Sequence, residues 1–208
     1  QVDEQGGIPT RNPEELLEVF TLLTWAQSAL EEADMGLHPG HTDAIVRIAP
    51  TLRALRHADG GLARFHGGGR GLDGRLDQAL AASGSRKRRL EGLAMGFARL
   101  SAGRPSVVID ASPPPSGVAS SNAHASTLAF ELTSGRRPLT VSCGSGEVFG
   151  EDWRRAGRAT LSHSTLCLQG YSSARLAPTR WVGQARRELL EQAPKEVPTY
   201  ISHLSESV

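Results

Sequence analysis

SNAHASTLAFELTSGRRPLTVSCGSG, residues 121–146, is the stretch whose reading decides the fold. From Leu128 onward apolar and polar side chains alternate: Leu128, Phe130 and Leu132 share one parity, Glu131 and Thr133 the other. Period-two alternation marks a half-buried strand, because successive side chains point to opposite faces. Gly135 supplies a turn and Leu139–Cys143 carries a second apolar run, so the stretch predicts a hairpin with strands of about His124–Thr133 and Leu139–Cys143. Leu128, Phe130 and Leu132 are expected on the core side. Asn122, His124 and Ser126 have the same parity, so a regular strand turns His124 inward, where a polar ring needs partners. Two readings stand at this point: a hydrogen-bonded structural histidine, or a metal-binding or catalytic group at the rim of the sheet.

Upstream of the hairpin the period is helical. Asn12 reads as an N-cap, Pro13 as the first helical residue and Glu15 as the third, a capping-box arrangement. Leu16, Val19, Phe20, Leu23, Ala26 and Leu30 follow at helical spacing, predicting a helix from Pro13 to about Ala33. Thr42 is the expected cap of a second helix carrying Ile45, Ile48, Leu52 and Leu55, ending near Asp59-Gly60-Gly61. The short connection favours an antiparallel pair.

Beyond Gly60 the expected elements are short. They are strands at Gly61–His66, Leu93–Ser101, Ser106–Ala111 and Ser162–Gln169, a helical turn at Leu76–Ala82, and loops at 113–117 and 147–160. Val182–Gln192 is read as helix and Val197–Leu204 as strand. Several short strands between turn-rich segments suggest a β-sandwich. The fold class is therefore α+β: an N-terminal antiparallel helix pair over residues 1–59, then a mainly β antiparallel sheet region over 60–208.

The bulk numbers exclude several classes. A net charge of +1 gives no global field to attract nucleic acid or an anionic membrane. With 38% hydrophobic and 22% charged residues the chain has the composition of a soluble globular protein. No apolar run approaches the ~18 residues of a membrane span. Cys143 and Cys167 lie in apolar runs and read as two small buried hydrophobes. The chain starts at Gln1 with no visible signal peptide. A lone helix pair cannot bury both apolar faces, so a piece of a longer chain is expected.

Few motifs carry chemistry by spacing alone. His163 opens an apolar run after an arginine-rich loop, and with His124 it offers two of the ligands of a zinc site, but zinc normally takes a third protein ligand and no HxH, HExxH or CxxC pattern is present. The basic run Arg86-Lys87-Arg88-Arg89 reads as a solvated loop, with phosphate or sulfate contact as the alternative. Gly67-Gly68-Gly69 lacks the lysine ending of a phosphate loop and reads as a flexible connection.

The stretch AHASTLAFELTSGRRPLTVSCGSG, followed by EDWRRAGRATLSHSTLCLQG, resembles the heparinase II/III family of polysaccharide lyases. The correspondence runs through His124, Phe130-Glu131-Leu132, Gly135, Leu139–Gly144 and Ser162–Leu166. Upstream, GGIPTRNPEELLEVF is similar to the family segment that opens a toroid helix, with Arg11, Asn12 and Pro13 matching. DGGLARFHGGG is similar to the segment leading from toroid to sheet. The resemblance implies an incomplete α/α toroid followed by an antiparallel β-sandwich, and β-elimination on uronic-acid polysaccharides. It implies a periplasmic or cell-envelope location and an acidic polysaccharide as partner, with no nucleic acid and no membrane.

By the same resemblance, Asn122 and His124 are the expected catalytic residues, and Arg11, Arg154 and Arg158 the expected binders of an anionic sugar. The residues fix no cofactor, but the resemblance implies zinc at His124 and His163. Asn122 stands where catalytic members often carry the first histidine of an H-x-H, Ser142 where the family has a metal-binding Asp, and Glu15-Leu16 where it has a Tyr-His pair. These departures keep a second reading open: a non-catalytic carbohydrate-binding or structural β-sandwich. The isolated chain is expected to be inactive, because the cleft needs the rest of the toroid.

Overall fold

Asn12 sets the first helix. Its side-chain oxygen accepts from the backbone N–H groups of Glu14 (2.9 Å) and Glu15 (3.3 Å), meeting two of the donors a helix start leaves open. Helix α1 runs Pro13–Glu32. The reciprocal half of the expected capping box is absent: Glu15 accepts instead from the Thr10 hydroxyl at 2.6 Å. The computed structural model describes residues 2–86, 88 and 90–199. Part of the expected basic run (Lys87, Arg89) and most of the expected last strand (200–204) lie outside them.

Helix α2 spans Pro39–Leu55 and is capped by His38 rather than Thr42, with the His38 ring accepting from Gly40 N–H at 3.1 Å. The two helices are antiparallel. His41 at the start of α2 meets the Leu23 carbonyl in mid-α1, while Thr51 near its end donates to Gln5, just before α1. Leu16, Leu17 and Phe20 pack with Ile45, Ile48, Ala49, Leu52 and Leu55. The same cluster continues through Leu62, Phe65, Phe97, Val108 and Ala129, so one core joins the helices to the sheet. Helix α3 (Arg75–Ala82) lays Leu76 and Ala79 on it.

The principal sheet is four-stranded and antiparallel, in the order β1 (Phe97–Ser101), β2 (Pro105–Asp110), β3 (Phe130–Ser134), β4 (Arg137–Thr140). Helices followed by antiparallel sheet is the α+β order that the sequence patterns predict. Two details of the hairpin differ. Strand β3 begins at Phe130, not His124, because Leu128 takes a left-handed φ of 62° and breaks the alternation behind it. The inward face is also the opposite one: Glu131 and Thr133 are buried, while Leu128 and Phe130 are 55% and 36% exposed. Alternation fixes which residues share a face, but partners on the other element decide which face is inward. Glu131 turns inward because His57 and the Ser142 N–H meet it there.

Other segments depart from expectation for local reasons. Gly61–His66 is not a strand; only Leu62 bridges Arg56, and positive φ at His66 and Gly67 turns the chain away. Residues 147–160 are not a plain loop but carry a short helix, α4 (Glu151–Gly157). Ser162–Gln169 forms no strand, and its start is a 3-10 turn at Thr160–Ser162. The expected helix at Val182–Gln192 is instead a ribbon, β6 (Arg180–Val182) with β7 (Ala185–Arg187), turning at Gly183. Strand β5 (Arg175–Leu176) pairs with β8 (Leu190–Glu191) beside a small cluster of Ala123, Ala125 and Ala174. Cys143 is exposed and Cys167 half-buried, so neither is the buried hydrophobe expected. No helix among the described residues is long and apolar enough to cross a membrane.

Candidate functional site

Of the six histidines among the described residues, four, His57, His66, His124 and His163, are buried. They lie along one polar seam between helices and sheet. At one end Asp110, on β2, is wholly buried and accepts from Arg11 (2.5 Å) and the Ser126 hydroxyl (2.9 Å), with the His66 ring facing it (Nε2 at 3.4 Å, outside hydrogen-bond geometry). Burial alone would raise the Asp110 carboxyl, but Arg11 and then His66 outweigh it and hold it below the ordinary range. His66 Nδ1 accepts the backbone N–H of His124 at 3.2 Å, which leaves its Nε2 as the proton-bearing nitrogen facing Asp110.

The 121–129 segment then carries His124 into the interior. Its ring is 1% exposed and neither ring nitrogen has a hydrogen-bond partner. His163 stacks on it, ring centroids 4.9 Å apart and planes inclined by 28°. Burial first, and the neighbouring His163 next, push the His124 pKa well below its ordinary value. Burial, then His66, pushes His163 down to about 4. Both rings are therefore neutral at neutral pH. His163 Nδ1 meets the Ser142 hydroxyl at 3.2 Å, and the Ser142 N–H donates to Glu131 at 2.8 Å. Glu131 closes the seam on His57 at 2.7 Å.

The Gly-rich loop is part of this construction rather than a flexible connection. Gly67, at φ +87°, brings the backbone so close that a Cβ would sit 3.1 Å from Asn122. Gly68 backs onto the Asn12 cap, and the Gly69 N–H donates to Glu14 at 2.6 Å. The loop thus ties the start of α1 to the Asn122–His124 segment. A cavity of about 20 Å³ lies there, lined by Gly67, Asn122, His124, Glu147, Arg154 and Arg158 among others. That is room for a water-sized group.

Four of the expected site residues therefore share one cavity wall, but with unequal freedom. Asn122 is half-buried at its rim. Arg154 is held by Glu151 through Nε and Nη2, and its buried Nη1 has no partner. That ion pair raises the Arg154 pKa. Arg158 is 2% exposed, and its nitrogens donate at 2.8 Å each to the carbonyls of Ala123, Glu188 and Ser120. Burial pushes its pKa down to about 10, with Arg154 adding to the shift. Three of the five Arg158 donors therefore pin three segments together, a structural commitment that the expected sugar-binding role did not anticipate.

Arg11, also expected to bind sugar, goes further: all five of its guanidinium N–H groups are engaged. Its guanidinium donates to Met95, Gly96, Ser112 and Pro113 carbonyls and to Asp110, with the Phe97 ring 4.6 Å from its centre. It anchors Asp110 and leaves no donor for a sugar. Sequence reasoning missed His57, His66, Asp110 and Glu131. Glu131 had a signal, a carboxylate in mid-strand, but its partner is 74 residues away.

The fit of a zinc ion is decided by ligand count, not distance. Rings 4.9 Å apart are close enough to share an ion with bonds of ~2 Å. The third position, however, is the neutral hydroxyl of Ser142, and among the described residues no three His, Cys, Asp or Glu side chains converge to hold a metal. The residues present do not fit zinc.

Residues 84–202 match the sequence profile described as heparinase II/III-like, C-terminal. FtsZ-localized protein C of Caulobacter vibrioides is 31% identical over 191 residues, covering 88% of this chain and 33% of that protein. In fold, the chain is similar to a heparan sulfate lyase from Pedobacter heparinus (TM-score 0.64, 16% identity), over 88% of this chain and 33% of that one. It is likewise similar to heparinase III (TM-score 0.63, 13% identity), over 88% of this chain and 35% of that one. The chain spans about a third of the length of these relatives.

Proposed function

The chain belongs to the heparinase II/III-like, C-terminal family, and from that premise we propose that it forms the sheet-side wall of a site for β-elimination on a uronic-acid polysaccharide. The observation that carries the reading is the shared cavity. It sets a neutral imidazole with both nitrogens free, His124, beside an unpartnered guanidinium nitrogen of Arg154 and the half-buried amide of Asn122. These are the parts an elimination needs. Asn122 and Arg154 take the uronate carboxylate, which favours loss of the neighbouring C5 proton. His124 accepts that proton, the C5–H electron pair becomes the C4–C5 double bond, and the C4–oxygen bond breaks to an alcohol protonated by water. The present cavity admits only a water-sized group, so the sugar meets the site at its Asn122 rim and the remaining walls come from the longer protein. An acidic polysaccharide of this kind would be met in the periplasm or cell envelope.

The test is formation of unsaturated uronate by the full-length protein, read by ultraviolet absorbance on a panel of uronate polysaccharides. Activity lost in His124→Ala and reduced in Asn122→Ala supports the reading. A second reading is a non-catalytic member of the family. Three observations favour it: His124 is almost fully buried, Arg11 is wholly engaged internally with Arg158 tied to three carbonyls, and Ser142 stands in the metal-ligand position. FtsZ-localized protein C, by its name, is placed by a protein partner. Polysaccharide binding, or partner binding, by full-length protein that releases no unsaturated product would select this second reading and overturn the first.

A further inference from the structure

A second cavity, of about 360 Å³, shares no lining residue with the His124 cavity. It lies between the last turn of α2, the 88–94 segment and β1. Its apolar walls are Pro50, Leu90 and Phe97, and its polar lining is dominated by three arginines, Arg53, Arg88 and Arg99. They come from three separate segments. Two are fixed in place by backbone carbonyls. Arg53 donates to Ser85 (2.8 Å) and Arg86 (3.2 Å), and Arg99 donates through Nη1 to Ala54 (2.9 Å) and Arg56 (2.7 Å). Arg88 is exposed at the rim.

Closing the end of α2 accounts for one nitrogen of Arg99. It does not account for two more arginines lining the same cavity. Among the described residues none of the three has a carboxylate within 4 Å, as holds for most of the described arginines, so their charge is not offset by an ion pair. Burial lowers the Arg99 pKa and no carboxylate offsets it. Apolar walls strengthen the field of the three cations inside the cavity.

We propose that this cavity binds a tetrahedral oxyanion, a sulfate or phosphate ester group, through Arg53, Arg88 and Arg99. Guanidinium forks match the paired oxygens of such a group, and three cations lining one cavity suit more than the single charge of a carboxylate. The oxyanion has two sources, a sulfate ester on a polysaccharide or a free inorganic anion. The site stands apart from the reading of the His124 cavity and does not rest on it.

Calorimetric titration of the full-length protein with inorganic sulfate, inorganic phosphate, a sulfated uronate disaccharide and its desulfated counterpart tests the site. Saturable binding is expected. It should weaken at least about tenfold in Arg88→Glu, which alters only an exposed side chain, and in Arg53→Gln. Tighter binding of the sulfated than of the desulfated disaccharide identifies the polysaccharide ester as the source; binding of the inorganic anions alone identifies the free anion. Absence of saturable binding by any of the four, or affinities unchanged in both variants, overturns the proposal. Neither result bears on whether the protein forms unsaturated uronate.

Discussion

His57 and Glu131 meet at 2.7 Å with both side chains buried, 74 residues apart in sequence. This pair locks the end of α2 to the middle of β3, and through the Ser142 N–H on the second carboxylate oxygen it also fixes the start of the loop after β4. Removing it should be costly. Glu131→Ala leaves the His57 ring and the Ser142 N–H without partners, at about 1–3 kcal/mol for each unmet buried group before relaxation. Glu131→Gln should cost less, since the amide oxygen still accepts from Ser142. Denaturant unfolding of the full-length protein reads both. Equal stability of Glu131→Ala and the wild type would show that the pair contributes nothing.

Acid should destabilise the fold through the histidine stack. The folded pKa of His163 is about 4 and that of His124 lies well below its usual 6.5, both chiefly from burial. In the unfolded chain each ring takes up a proton as pH falls through ~6.5. The unfolded state then binds more protons than the native state, so stability falls from about pH 6.5 down to about pH 4. Proton NMR should find the His163 ring still neutral at pH 5, and His163→Phe should flatten the acid limb of the stability profile. A His163 midpoint near its ordinary value would contradict the burial argument.

Arg158 is expected to be structural rather than substrate-binding. Arg158→Ala leaves three buried carbonyls unmet, at about 1–3 kcal/mol each before relaxation. Arg158→Lys should not rescue it, because a single ammonium lacks the fork that reaches Ala123, Ser120 and Glu188 together. Limited proteolysis of the 120–125 and 186–190 segments checks this. Rescue of protease resistance by lysine would mean that charge alone suffices.

Ser142→Asp should complete a metal site that the wild-type side chains do not fit. The carboxylate would join His124 and His163 as a third ligand, matching the ligand count zinc normally takes. Stoichiometric zinc is expected on the purified variant by elemental analysis, with a thermal shift on chelation, and neither on the wild type. Tight stoichiometric zinc on the wild-type protein would overturn the misfit.

Much of the architecture is legible in the sequence because its causes are local. Asn12-Pro13 and the helical spacing of Leu16, Phe20 and Leu23 give α1 almost to the residue, and Gly135 between two apolar runs gives the hairpin. The candidate site is legible in part. Asn122, His124, Arg154 and Arg158 do line one cavity, while Arg11 does not. What distinguishes a free donor from a consumed one is the set of carbonyls around it, and for Arg158 those come from residues 120, 123 and 188.

The sequence by itself determined the order of helices and antiparallel strands, the hairpin, and the family, since these follow from residue spacing and from motifs read along the chain. Only the tertiary structure decided which face of β3 turns inward, that His124 owes its burial to the loop before β3 rather than to strand parity, and that His124 and His163 stack as neutral rings 4.9 Å apart; the missing third ligand at Ser142 was already legible from the motif. The reason is physical. Alternation along a strand is symmetric between its two faces, and the symmetry is broken by partners such as His57, which only the folded chain brings to Glu131.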